Sequence, residues 1–173
     1  VTPTAKERQF RRLEGWRCVF VGREWKRKGL DKALAILKLA KMHNPKISLD
    51  VFGISAPELP AEFSEIEWIN VHGWVKEVPW QNYDLLIHLA REEPFGMVIT
   101  EARKAGVPVL CSDQVGALDL GLSHVFVVDT KADDLQALGV LLRALNVDKS
   151  KYESLWTWSD LASLMIDEVY CDF

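Results

Sequence analysis

The stretch Arg17-Cys18-Val19-Phe20-Val21-Gly22-Arg23-Glu24-Trp25-Lys26-Arg27-Lys28-Gly29-Leu30 decides the fold of this chain. The apolar run from Cys18 to Val21 reads as a strand of a sheet covered on both faces. A turn of charged residues closed by Gly29 follows. Beyond it Leu30, Leu34, Leu37 and Ala40 or Lys41 mark a helical period that lasts to Met42. Strand, turn and helix in that order form the unit from which parallel sheets are wound.

The unit recurs outward from there. Ser48 to Gly53 reads as a second strand, followed by a loop over Ile54 to Ser64 that contains Pro57 and Pro60. Further strands are expected over Glu67 to His72, Asp84 to Leu89, Val107 to Cys111 and Val125 to Val128. Phe95 to Val98 are expected to open a helix that Lys104, Ala105, Gly106 and Pro108 bring to an end. Two helices, Leu135 to Leu145 and Tyr152 to Tyr170, close the chain, with Asp133 or Asp134 and Ser150 as N-caps. No repeat, low-complexity tract or linker divides the pattern. The expectation is one α/β domain over residues 1–173, Rossmann-like and doubly wound, with a mainly parallel six-stranded sheet, helices on both faces and closing helices within 149–171. Such sheets bind ligands beyond the carboxyl ends of their strands, which directs attention to the loops after Val21, Phe52, Val71, Leu89, Leu110 and Val128.

Composition narrows the partners. With 173 residues, 49% of them hydrophobic, the chain can build one sizeable core and not two ordinary domains. A net charge of −4 argues against a general binder of nucleic acid or anionic membrane. Cys18, Cys111 and Cys171 show no zinc or redox spacing and read as buried thiols in a reducing compartment. No apolar run is long enough for a membrane span. The start at Val1, without Met, reads as a fragment or a processed piece.

Two loops carry the chemistry. The turn after the first strand holds four basic residues, Arg23, Lys26, Arg27 and Lys28, just before a helix, an arrangement suited to a diphosphate and equally to a solvated basic turn. The glycines match neither Gly-x4-Gly-Lys-Ser/Thr nor Gly-x-Gly-x-x-Gly, which weakens an NTPase or a nicotinamide reading. In Glu92-Glu93-Pro94-Phe95-Gly96-Met97-Val98-Ile99-Thr100-Glu101-Ala102, one carboxylate stands in a turn before a helix and the other about a turn and a half inside it. Alone, that pair also reads as a helix-dipole partner and a solvated residue. If the sheet is parallel, both loops leave the same edge and face one cleft. Glu101 could then accept hydrogen bonds from a ribose diol, and the helix-start amides could hold phosphate or sugar oxygens. Gly96 would allow close backbone approach. No Asp-x-Asp pair or metal spacing of His residues occurs. His72 and His88, in strands, read as structural, and Trp156 and Trp158 read as packing anchors.

Several of these segments in order, Phe20-Val21-Gly22-Arg23 with Lys28-Gly29, Val51-Phe52-Gly53, Val71-His72-Gly73-Trp74-Val75, Glu93-Pro94-Phe95-Gly96 with Glu101-Ala102, and Ala105-Gly106-Val107-Pro108-Val109, resemble the C-terminal half of retaining GT-B glycosyltransferases of the group-1, or family 4, type. The resemblance implies a donor-binding domain for a nucleoside-diphosphate sugar, acting without a metal or other cofactor. It implies that Arg23 and Lys28 meet the diphosphate beside Gly22, that Glu93 contacts the transferred sugar, and that Glu101 holds the ribose. Phe95, Gly96, Met97 and Val98 would support sugar and phosphate oxygens, while Gly73, Trp74 and Val75 would line the base pocket. By this reading Glu93, Arg23 and Lys28 are the catalytic group. The acceptor, a glycan or lipid-linked sugar, would sit on a domain preceding Val1, so this chain alone should hold donor weakly and transfer poorly. The family setting is surface-polysaccharide assembly in the cytoplasm or at the cytoplasmic face of the inner membrane, with peripheral membrane association open to the longer protein. The competing reading is a non-catalytic module of the same fold that binds nucleotide or protein. The sequence departs from the family at the lone Gly53, at Asp119 and at Arg91, whose charge serves either the site or the solvent.

Overall fold

A computed structural model describes residues 15–147. Six strands, β1 (Arg17–Val21), β2 (Ser48–Phe52), β3 (Ile69–Gly73), β4 (Leu85–His88), β5 (Val109–Ser112) and β6 (Val125–Val128), form one sheet in the order β3-β2-β1-β4-β5-β6. Every pairing is parallel. The longer helices are α1 (Leu30–His43), α3 (Met97–Lys104) and α4 (Asp134–Leu145), and a single turn of helix, α2 (Ala61–Ser64), precedes β3.

The central strands β1, β4 and β5 read as nearly continuous apolar runs because both faces are covered, whereas the edge strand β3 alternates and exposes Asn70 and His72. Along β1, Cys18 and Phe20 pack into one core with Leu34, Leu37 and Leu141 from α1 and α4. Val19 points the other way, into a second core with Val98, Ile99 and Ala102 from α3. The period of two in the strands thus divides one sequence run between two cores. Helix α1 ends where Asn44 and Pro45 follow the last periodic position, and the Asn44 amide still donates to Ala40 O. Helix α4 starts from Asp133, whose carboxylate accepts from the Gln136 amide while the Gln136 side chain accepts from the Asp133 amide.

Three expectations are corrected. Residues 54–64 are not a plain loop: they hold a 3-10 turn at Ala56–Glu58 and then α2. Pro57 and Pro60 sit at or just before helix starts, where a missing N–H costs nothing, and Ser55 donates to the Glu58 carboxylate through both its amide and its hydroxyl. Strand β5 begins at Val109, beyond Pro108, since proline has no amide for the ladder. The third correction concerns Phe95, which does not open a helix. The turn before α3 runs through Gly96 at φ 93°, ψ 55°, so the first helical residues are Met97 and Val98, and Glu101 lies about one turn inside. The helix expected over 152–170, its cap Ser150 and the pair Trp156 and Trp158 lie outside the described residues.

Strands β1 and β4 are neighbours although β2 and β3 come between them in sequence. The chain turns outward in opposite directions from this pair, and the loops leaving their carboxyl ends splay apart to open a crevice.

Candidate functional site

The crevice at that switch point is a cleft of about 700 Å³. The β1 exit contributes Val21, Gly22, Arg27 and Lys28, and the β4 exit with the start of α3 contributes Glu93 to Val98 and Glu101.

Glu93 is its electrostatic centre. Its backbone is pinned to the loop after β5, with the Glu93 amide donating to Gln114 O (3.0 Å) and Glu93 O accepting from the Gly116 amide (3.1 Å). Its side chain is 11% exposed. The oxygen Oε2 accepts a hydrogen bond from Lys28 Nζ at 2.8 Å and lies 3.7 Å from Arg27 Nη1. Burial alone would raise the carboxyl's pKa. The Lys28 hydrogen bond and the positive charge around the group outweigh that, and Glu93 is held below the usual carboxylate range. Lys28 reaches it across Gly22, where a Cβ would stand 2.2 Å from Lys28 Cδ. Any side chain at position 22 would push the lysine off its path.

The two loops are stitched together independently of that ion pair. The Arg91 amide donates to Arg27 O (2.8 Å), Arg27 Nη1 donates to Glu92 O (2.7 Å), and the Arg91 guanidinium clasps Asp31 of α1 at 3.0 and 2.6 Å while also donating to Lys26 O. Arg91 therefore serves as a strut rather than a cleft charge. Glu101 differs from Glu93. Among the described residues no side chain bonds or pairs with its carboxylate, and burial raises its pKa. It faces the cleft as an unengaged acceptor. The Met97 and Val98 amides, at the start of an eight-residue helix, point their dipole the same way.

Of the residues singled out from sequence, Gly22, Lys28, Glu93, Phe95, Gly96, Met97, Val98 and Glu101 come together in the cleft. Arg23 does not line it: it is exposed and contributes its charge near Glu58 instead. Gly73, Trp74 and Val75 lie at the end of β3, on the same sheet edge but beyond the cleft. Trp74 is 77% exposed there, and Gly73 O accepts from the Gly53 amide at 2.7 Å. Two residues beside Glu93 were not singled out from sequence as site residues. Arg27, counted there only within the basic turn, adjoins Lys28 and lines the cleft, which Arg23 does not. His88 ends β4 with no exposure, its Nε2 3.4 Å from Glu93 Oε2. The signal for it was available: an imidazole closing the run Leu85-Leu86-Ile87, five positions before Glu93, stands where a parallel sheet delivers side chains to its ligand edge. Among the described residues no three His, Cys, Asp or Glu side chains gather as a metal site.

Residues 2–152 match the family described as glycosyl transferases group 1. Over 101 residues the chain is 38% identical to a Klebsiella pneumoniae protein described as an uncharacterized 41.2 kDa protein in the cps region, an alignment covering 55% of this chain and 27% of that one. Among solved structures it is similar to WaaG, described as a glycosyltransferase involved in lipopolysaccharide biosynthesis (TM-score 0.66, 23% identity, 84% of this chain and 43% of that one). It is also similar to the C-terminal domain of a group 1 family protein, LpcC, of Francisella tularensis (TM-score 0.65, 16% identity, 98% and 94%). A third is Anabaena Alr3699/HepE in complex with UDP-glucose (TM-score 0.61, 17% identity, 94% and 47%). The chain spans less than half of WaaG and about a quarter of the Klebsiella protein.

Proposed function

The chain belongs to the group 1 glycosyl transferases and carries one Rossmann-like half of a GT-B fold, and from that premise we propose that its cleft binds the nucleoside-diphosphate sugar from which the longer protein transfers a hexosyl unit with retention. The observation that carries this reading is the convergence of Lys28, Arg27 and Glu93 at the sheet's switch point, facing the start of α3. Lys28 and Arg27 supply positive charge where a departing diphosphate gathers negative charge, so their attraction grows toward the transition state and lowers the barrier. That assigns them, with the amides of Met97 and Val98, the part that a divalent cation plays in other sugar-nucleotide chemistry. Glu101 takes the ribose hydroxyls and Glu93 orients the sugar. Arg23 and the Gly73–Val75 turn are assigned to the outer, nucleoside end, where both border the same sheet edge.

The acceptor, a glycan or lipid-linked sugar, is held by a second domain of the longer protein, in a cytoplasmic setting of surface-polysaccharide assembly. The cps region named for the Klebsiella relative favours that setting. The test is calorimetric titration of UDP, GDP and ADP into the chain, repeated with Lys28→Ala. One nucleoside diphosphate should bind, and the substitution should weaken it at least tenfold, about 1.4 kcal/mol. Absence of binding by all three, or equal binding by the variant, overturns the donor-site reading.

A further inference from the structure

A diphosphate in the cleft would compete with Glu93 for the Lys28 ammonium. In the structure its ammonium is spent on Glu93, yet a diphosphate in the cleft needs the same group. When Lys28 turns to phosphate, Glu93 loses its hydrogen bond while it stays largely shielded from water, and a shielded carboxylate without a partner is costly.

Arg27 is poorly placed to take over. Its Nε already donates to Glu24 at 2.5 Å and its Nη1 to Glu92 O at 2.7 Å, leaving it 3.7 Å from Glu93. His88 is free to do so. It is fully buried at the end of β4, and neither Nδ1 nor Nε2 has a hydrogen-bond partner. Buried polar groups are nearly always satisfied, and an apolar side chain would continue the run Leu85-Leu86-Ile87 without that cost. The ring's Nε2 lies 3.4 Å from Glu93 Oε2, a few tenths of an ångström outside good hydrogen-bond length. Burial, reinforced by the Lys28 charge and opposed by the Glu93 carboxylate, brings the imidazole pKa down to about 4, so in the empty cleft the ring is neutral and can carry its N–H on Nε2.

Resting on the reading of the cleft as a diphosphate site, we propose that His88 is a positioning residue that donates Nε2–H to Glu93 when the ligand draws Lys28 away. The exchange keeps Oε2 anchored and the carboxylate aimed, so that the sugar-facing group does not swing as the phosphate-facing group engages. His88 itself touches no substrate.

The experiment is a long-range 1H–15N correlation on the chain with ring-labelled histidine, His88 being identified by the signal lost in His88→Gln. Four samples are compared: the unmodified chain alone, the same chain with saturating inorganic pyrophosphate, the same chain with saturating UDP, and Lys28→Met without ligand. Pyrophosphate and Lys28→Met should each produce an Nε2-protonated ring whose N–H proton moves downfield and exchanges more slowly. Adding Glu93→Ala to Lys28→Met should abolish the change. A ring unaltered in Lys28→Met, or altered equally without Glu93, overturns the proposal. A ring that responds in Lys28→Met but to neither pyrophosphate nor UDP upholds the His88–Glu93 contact and overturns the diphosphate reading instead. Pyrophosphate on the unmodified chain also covers the case in which Lys28→Met disturbs the loop.

Discussion

One carboxylate oxygen, Glu93 Oε2, is approached by Lys28, Arg27 and His88. Lys28 was legible in the sequence as part of a basic turn. His88 was read as packing: its place at the end of an apolar strand, five positions before Glu93, is a signal that becomes decisive only once its neighbours across the loop are known. If Glu93 orients the sugar, Glu93→Ala in the longer protein should reduce transfer at least tenfold more than it reduces nucleoside-diphosphate binding; comparable losses in rate and affinity would remove that role. Acid sensitivity tests His88. The folded ring protonates only near pH 4, whereas the unfolded ring does so near its ordinary value of 6.5. Between those values the unfolded chain binds the extra proton, so stability is full above about pH 6.5 and falls as pH drops toward 4, by about 3 kcal/mol in all. Glu93, with its pKa lowered, works in the same direction at more acid pH, its contribution disappearing as pH falls below 4.5. Urea midpoints measured across pH 4–7 should therefore slope less in His88→Leu than in the unmodified chain, and parallel slopes would contradict the buried neutral ring.

At the scale of elements, β6 stands where periodicity placed it, α1 and α4 are right to within a residue at their ends, β3 begins at Ile69 instead of Glu67 because Glu67 and Trp68 lie in a turn, and the boundaries misplaced around residues 54–64, Pro108 and Gly96 share one cause. Proline and glycine mark where regular structure changes without saying on which side. Pro57 and Pro60 open short helices instead of forbidding them, and Gly96 delays α3 to Met97. Gly96 holds a left-handed conformation that an L side chain enters at a cost of about 1–2 kcal/mol. A Cβ there would also approach Val115 Cγ1 to 3.0 Å. Gly96→Ala should lower the unfolding free energy by at least that amount in denaturant titration and weaken nucleotide binding by displacing the Met97 and Val98 amides. A variant as stable as the parent would show that the turn is not left-handed.

For the whole molecule, apolar central strands spaced by helical segments were enough to read a doubly wound sheet from sequence. The order of strands was beyond reach, because the placement of β4 beside β1 depends on which exposed edge the returning chain meets, and no local pattern records it. The same two-faced burial governs the thiols. Cys18 and Cys111 lie in separate cores with no exposure, and burial pushes the Cys111 thiol up to about 12. With Cys171, which lies outside the described residues, replaced by Ser, a thiol reagent such as DTNB should react with neither cysteine until the chain is unfolded. Rapid labelling of the native protein would contradict the packing.

The position of β1 against β4 also has a consequence for how the molecule assembles. The Lys28–Glu93 contact joins residues 65 apart in sequence, and the intervening chain must fold back as β2 and β3 before the two halves of the cleft can meet. Contacts of such long range are closed slowly, since the loop entropy is lost before the contact is gained. A chain emerging from the ribosome has its basic turn long before its acidic partner, so ligand capture should appear late in refolding, after helical signal has recovered.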